Sequence, residues 1–327
     1  MRPAAWRRSP SRGPGGGSTD TTPPSRPSRC RGSWGGDVHL RRRPPESRGA
    51  GRRRDRCRPR ARAIAGLIDR VHARLEATAR AVASDWGLRV GKPFAAARHS
   101  YVAPAGEDAV LKLTDPSDDE ADEEPDALAL WRGDAAVRLI RGDRTRRAIL
   151  IERARPGADI AVLPEERATA VAVAVALRLW RPAGAPFRWI GDHVPRWLDQ
   201  AEGSAGAAGE LIPLARDLSR SLGRSTLVHG DLHHHNILDA GGRYLAIDPK
   251  PMLGEPEFDV PPLLWNPISH EMTLEVTERR LAAFAAAGLD EERMRGWSVI
   301  RGAYLGADLR FDEHDVEVLR ALVRGRR

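Results

Sequence analysis

Leu227-Val228-His229-Gly230-Asp231-Leu232-His233-His234-His235-Asn236-Ile237-Leu238 runs from one apolar segment through a polar loop into another. Further along, Tyr244-Leu245-Ala246-Ile247 forms a third apolar run, closed by Asp248 twelve residues after Asn236. Asp239-Ala240-Gly241-Gly242, between the second and third runs, has the composition of a hairpin turn. Such a hairpin brings Asp248 beside Asn236, so that an amide oxygen and a carboxylate can share one cation. A lone Asp between apolar runs is usually a cap or a turn residue, so the weight rests on the three positions jointly. The histidine triplet is not read as a zinc site. Adjacent loop residues rarely point at one metal, and no distant Cys or His pair completes a tetrahedron.

His229-x-Asp231-Leu232-x-x-x-Asn236 has the spacing of the kinase catalytic loop, with Gly230 in place of its Arg. Chemistry accounts for that spacing. Phosphoryl transfer needs a carboxylate to orient the incoming hydroxyl and accept its proton, which is the role assigned to Asp231. It then needs oxygen ligands for Mg²⁺ between the β- and γ-phosphates of ATP, the role assigned to Asn236 and Asp248.

Composition divides the chain. Residues 1–62 hold 18 Arg, no Lys and four acids, a charge of +14 against +8 for the whole chain, so the remainder carries −6. This stretch is rich in Pro, Gly, Ser and Arg and has no apolar period, so it is expected to be a disordered basic tail. It lacks aromatic interleaving and is not read as a nucleic-acid arm. Arg7-Arg8 is followed by Ser9-Pro10-Ser11 rather than an apolar stretch, so no export signal is expected. Both cysteines, Cys30 and Cys57, fall in the tail, which suits a cytoplasmic protein without disulfides in its body. The most apolar segment, Ala170 to Leu177, is too short to span a bilayer.

Only three lysines occur, Lys92, Lys112 and Lys250, beside 50 arginines. A lysine that persists against such a bias is expected to be chemically required. Ala109-Val110-Leu111-Lys112 fits a strand whose lysine neutralises nucleotide phosphates, a task that suits a compact ammonium better than a planar fork. Its carboxylate partner on the following helix is assigned to Glu124, with Glu123 as the rival. Pro125 sets Glu124 at the helix start. Leu150-Ile151-Glu152-Arg153 reads as the connection between lobes, where the backbone of Glu152 and Arg153 would hold adenine. Ala95 to Ser100, where a glycine-rich phosphate loop belongs, contains no Gly.

The body begins near Ala63 with Ile64, Leu67, Ile68, Val71 and Leu75 at helical spacing. Strands are expected at 100–102, 109–113, 136–140 and 148–152, with a helix through Ala127, Leu128, Leu130 and Trp131 after the acidic stretch 115–126. Helices are expected at 168–180, 195–200, 209–222, 273–287, 291–305 and 313–323. The expected class is α+β: a small β-rich N-lobe over 63–154 that binds nucleotide, and a larger helical C-lobe over 155–327 with the catalytic loop, Mg²⁺ and acceptor sites.

These residues resemble the aminoglycoside phosphotransferases, most closely the streptomycin 6-phosphotransferase and hydroxyurea kinase branch. The resemblance rests on His229-Gly230-Asp231-Leu232-His233-His234-x-Asn236, Ala246-Ile247-Asp248-Pro249-Lys250, Gly254-Glu255-Pro256-x-Phe258-Asp259 and Asn266-Pro267. It implies a protein-kinase-like two-lobe fold and an ATP- and Mg²⁺-dependent kinase of a small-molecule alcohol, an aminoglycoside such as streptomycin or else hydroxyurea. By that resemblance Asp231 is the catalytic base, Lys112 binds phosphate, and His229 and Asp259 support the loop. Asp248-Pro249-Lys250, where protein kinases have Asp-Phe-Gly, argues against a protein kinase. The rival classes are a non-catalytic nucleotide-binding relative and a nucleic-acid-binding protein acting through the tail.

If Lys112 persists for chemical reasons, Lys112→Arg fails although its charge is kept. A fall in kcat/KM of roughly a hundredfold or more, about 3 kcal/mol, is expected, while Lys92→Arg is tolerated. Equal, mild effects at both positions would reduce the lysine pattern to codon bias.

Overall fold

The computed structural model describes residues 73–94, 100–203, 206–223, 226–267 and 271–324. The stretch expected to be a basic tail, residues 63–72 of the expected first helix and the glycine-free segment 95–99 lie outside the described residues.

Four strands, β1 (Ser100–Pro104), β2 (Ala109–Thr114), β3 (Leu139–Asp143) and β4 (Ala148–Glu152), form an antiparallel sheet in the order β1-β2-β4-β3. Alternation along the strands sorts side chains between its faces. Leu111 and Leu113 of β2, with Ala148 and Leu150 of β4, pack against Leu75, Ala79 and Val82 of helix α1 (residues 73–86). Val110, Ile149 and Ile151 point the other way, onto Ala127, Leu128 and Trp131 of α2 (Glu124–Trp131). Lys112 shares this second face, opposite Ile149 in the register. Each fully buried leucine contributes on the order of 2 kcal/mol by leaving water. The pleat alone therefore turns the one charged residue of β2 inward.

The apolar run 136–140 does not become a strand as a unit. Ala136 and Val137 are buried, but the Val137 amide donates to the Ala246 carbonyl at 3.0 Å, so they bind the neighbouring lobe. The strand starts at Leu139, and Ile140 is largely exposed.

The larger lobe is helical: α3 (Glu165–Leu179), α4 (Ile190–Glu202), α5 (Ile212–Leu218), α6 (Pro261–Trp265), α7 (Leu274–Ala286), α8 (Glu291–Leu309) and α9 (Glu313–Val323). Two small ribbons sit at its upper edge, β5 (Thr226–Val228) with β8 (Met252–Gly254) and β6 (Ile237–Asp239) with β7 (Tyr244–Ala246). The strand entering the loop therefore pairs with β8, beyond Lys250, and not with the strand leaving it. The helix expected over 209–222 is broken into a 3₁₀ turn, α5 and a second 3₁₀ turn. Pro213, which has no N–H, stands in the first turn of α5 and restarts the helix there. α4 begins at Ile190, five residues before the expected start, and carries Pro195 within it. Among the described residues no helix is long and apolar enough to cross a membrane.

α8 is buried from Met294 to Gly306 and lies against α4, α5 and α9. Close approach depends on its glycines. A Cβ at Gly306 would fall on the Ala208 side chain, and one at Gly302 on Leu319. Gly306→Val is expected to cost about 1–3 kcal/mol by overpacking, read as a lowered Tm, and an unchanged Tm would show that the helices can part without loss.

Candidate active site

Asp259 is fully buried and takes three donors. Its Oδ2 accepts from the His229 amide at 2.7 Å and from Trp180 Nε1 at 2.9 Å, and its Oδ1 accepts from the Gly230 amide at 2.8 Å. The His229 ring lies between two more backbone groups. Its Nδ1 accepts from the Asp231 amide at 3.3 Å and its Nε2 faces the Ile247 carbonyl at 3.0 Å, which assigns the proton to Nε2. Burial lowers the pKa of this imidazole despite Asp259 and Asp231 nearby, so it is neutral. Trp131 of α2 stacks on it, with centroids 6.2 Å apart. Gly230 has φ of +86°, and a Cβ there would fall on the Lys250 carbonyl oxygen. Neither condition admits the arginine found at this place in protein kinases.

The Asp231 carboxylate projects beyond this frame, 3.8 Å from His233 Nε2. Asn236 turns its side-chain Nδ2 back to the Asp231 carbonyl at 2.9 Å, which leaves the amide oxygen to accept from elsewhere. The Ile247 amide donates to the Asn236 carbonyl at 2.9 Å across the β6–β7 hairpin, so Asp248 follows directly beside Asn236. Asp248 has φ of +57°, a left-handed conformation that Asp tolerates better than most residues.

Lys112 joins the lobes. Its Nζ lies 2.7 and 2.8 Å from the two Glu124 oxygens and 2.5 Å from Asp248 Oδ1. Burial opposes its charge, but Asp248 and Glu124 outweigh burial and raise its pKa. At Asp248, burial acts upward, while Lys112, helped by Lys250, holds the carboxyl well below the usual range. Its side chain remains 49% exposed, open to a ligand. Burial pushes Glu124 up to about 7 against the pull of Lys112. Of the two glutamates, Glu124 meets Lys112, whereas Glu123 pairs with Arg188 at 3.0 Å. Glu124 is the first residue of α2, and a carboxylate at a helix start still reaches a lysine on the facing strand.

The pair Asn236 and Asp248 presents hard oxygen donors, which fit Mg²⁺, an ion that takes one or two protein ligands and completes its shell with water and phosphate oxygens. Among the described residues no group of three His, Cys, Asp or Glu side chains could hold a metal. The three histidines diverge. His235 Nδ1 meets Asp159 at 2.7 Å, His233 faces Asp231, and both ring nitrogens of buried His234 lack a partner.

The profile of the aminoglycoside/hydroxyurea antibiotic resistance kinases matches residues 91–313. The chain belongs to that family. It is 36% identical over 237 residues to a hydroxyurea phosphotransferase of Kitasatospora aureofaciens, covering 66% of this chain and 67% of that one. It is 30% identical over 233 residues to a streptomycin 6-kinase of Streptomyces glaucescens, covering 65% and 76%. The structure of the choline kinase LicA from Streptococcus pneumoniae superposes with a TM-score of 0.50 at 14% identity, over 76% of this chain and 97% of that one, which shows the shared fold. This member of the family is thus a phosphotransferase acting on a hydroxyl group, on a protein-kinase-like fold with a β-rich lobe and a helical lobe.

At the expected lobe connection, the Glu152 amide donates to the Arg138 carbonyl and the Arg153 amide to the Asp108 carbonyl, both at 2.9 Å. The Glu152 side chain receives Arg243 and the Arg138 amide. Both amides are thus engaged at the end of the small sheet.

Other site residues went unassigned by sequence. Lys250 Nζ lies 3.3 Å from Glu120 and 3.5 Å from Asp118, while its amide donates to the His229 carbonyl at 2.8 Å. Burial opposes the Lys250 charge, but Glu120, Asp118, Asp231 and Asp248 outweigh it and raise the pKa. Lys250 thus draws in the acidic stretch 115–126. Part of it reaches the catalytic centre, and burial pushes Glu120 up to about 7. A cavity of about 230 Å³ beside the loop is lined by His234, Asn266, Met272 and Arg280, but not by Asp231, Asn236 or Asp248.

His234 supplies a pH dependence. Burial lowers its pKa from 6.5 to about 3, with Arg280 adding to the shift. Between these values the unfolded chain binds a proton that the folded chain refuses, so stability rises with pH and is lost as pH falls. Acidifying from pH 6.5 to pH 5 is expected to remove about 2 kcal/mol through this residue, and His234→Gln to flatten the acid limb of the Tm–pH curve. An identical acid limb in the variant would mean that the ring is not held neutral.

Proposed function

We propose that this chain transfers the γ-phosphoryl group of ATP to a hydroxyl of a small cationic molecule of the streptomycin type. One observation carries the reading: the Lys112–Glu124–Asp248 cluster, with both lobes contributing, stands beside Asn236 and the projecting Asp231. The small lobe, 63–154, would take the nucleotide, and 155–327 would take the acceptor. Lys112 binds phosphate oxygens, Asn236 and Asp248 hold Mg²⁺, and Asp231 orients the acceptor hydroxyl and takes its proton. Bound Mg²⁺ supplies charge neutralisation between the phosphates. His229 and Asp259 keep the loop in place without touching substrate.

Acidic groups favour a cationic acceptor. Asp118 and Glu120 reach the catalytic centre through Lys250, and Asp231 adds its own charge there. The 36% identity to a hydroxyurea phosphotransferase favours hydroxyurea as a second acceptor. Acceptor-dependent ADP formation with streptomycin, hydroxyurea and choline separates the readings. Streptomycin is expected to turn over, and activity with hydroxyurea alone would reverse the assignment.

Two substitutions test the roles. Asp231→Asn is expected to lower turnover below about a few per cent while MgATP still binds, because it removes the proton acceptor and keeps the shape. Asp248→Ala is expected to abolish Mg²⁺-dependent nucleotide binding, and undiminished MgATP affinity would remove it from the metal site.

A further inference from the structure

Arg301, on α8, is 1% exposed. One of its terminal nitrogens donates to the Gly230 carbonyl and the other to the Phe258 carbonyl, each at 3.0 Å, and its guanidinium lies 4.2 Å from the centre of the Phe258 ring. No carboxylate of the described residues pairs with it, and its Nε has no partner. Burying a cation on two main-chain carbonyls and one ring face, with no counter-charge, is costly, and apolar side chains of similar volume commonly replace buried charges without loss. Stability therefore does not account for this arginine.

Its two partners do. Phe258 immediately precedes Asp259, which holds the amides of His229 and Gly230. Arg301 holds the opposite end of the Gly230 residue, the carbonyl of the peptide leading into Asp231. A residue with φ of +86° and no Cβ has little intrinsic preference for one peptide orientation, so that orientation must come from its partners. Asp259 fixes one side of Gly230 and Arg301 the other. Asp259 belongs to the turn before α6, and Arg301 of α8 grips that same turn at the Phe258 carbonyl, so the two anchors are tied together.

We propose that Arg301 is a positioning residue for phosphoryl transfer, fixing the Gly230–Asp231 peptide plane from which the Asp231 carboxylate projects. The inference rests on Asp231 being the group that orients the acceptor. A displacement of about 1 Å in such a group costs on the order of a hundredfold in rate.

The test compares Arg301→Ala, Arg301→Lys and Asp231→Asn in the full chain, at a temperature well below each Tm. ADP formation is read with streptomycin and, to be independent of the alcohol, with water as the acceptor. Arg301→Ala is expected to lower kcat by about thirty- to a hundredfold with nucleotide KM within about threefold, and millimolar guanidinium ion is expected to restore at least about tenfold of the loss. Arg301→Lys, which keeps the charge and can satisfy one carbonyl, is expected to fall between. The inference is overturned if a folded Arg301→Ala keeps its kcat, or loses kcat and KM together without rescue. If Arg301→Ala does not fold, a wild-type kcat in Arg301→Lys overturns it, and an intermediate kcat with unchanged nucleotide affinity supports it. Activity in Asp231→Asn would instead sink the role of Asp231 itself.

Discussion

The buried carboxylate of Asp259 holds the backbone of the catalytic loop by the amides of His229 and Gly230, and the same carboxylate takes the indole N–H of Trp180 at the end of α3. A carboxylate out of water is tolerated only when charge-assisted hydrogen bonds replace its hydration, and three do so here. Leaving such a buried group one donor short costs about 1–3 kcal/mol, and more when the group is charged. The loop, the helix behind it and the turn before α6 are thereby committed to one relative placement. His229 extends this placement upward through its stack on Trp131, whose own indole donates to the Leu179 carbonyl at 2.7 Å.

Lys112 is the second junction, and its two carboxylate partners come from different lobes. A fixed ammonium between Glu124 and Asp248 keeps like charges from repelling in a site that must later receive an anionic nucleotide. Lys250 does the same for Asp118 and Glu120. The two lysines thus divide the acidic groups of the cleft between them. The third, Lys92, is exposed and lies in no ion pair among the described residues.

What was legible in the sequence was local. Asp231, Asn236 and Asp248 lie within 18 residues, and one hairpin with a recognisable turn brings the last two together. Lys112 faces inward because strand alternation says so. Asp259 came from resemblance, since nothing about a lone aspartate between Phe258 and Val260 announces its partners 30 residues upstream. Arg301 was invisible for a different reason. In a chain with 50 arginines, one more on a helix reads as surface, and only the tertiary packing of α8 shows that it is inside. The expected strand 148–152 was legible, but the bond from the Arg153 amide to the Asp108 carbonyl, which carries the ladder one residue further, depends on a partner 45 residues upstream. The broken helix at 209–222 was misread because its periodicity outweighed Pro213.

Gly230 carries a consequence for control. In protein kinases the corresponding arginine can pair with a phosphate on a distant loop, which orders the site only after modification. Here any side chain at that position would strike the Lys250 carbonyl, so the loop has no handle for an incoming phosphate to grasp. Its geometry is fixed by interior groups from the moment the chain folds. This site is thus built by packing and needs no charge at Gly230 to hold its shape.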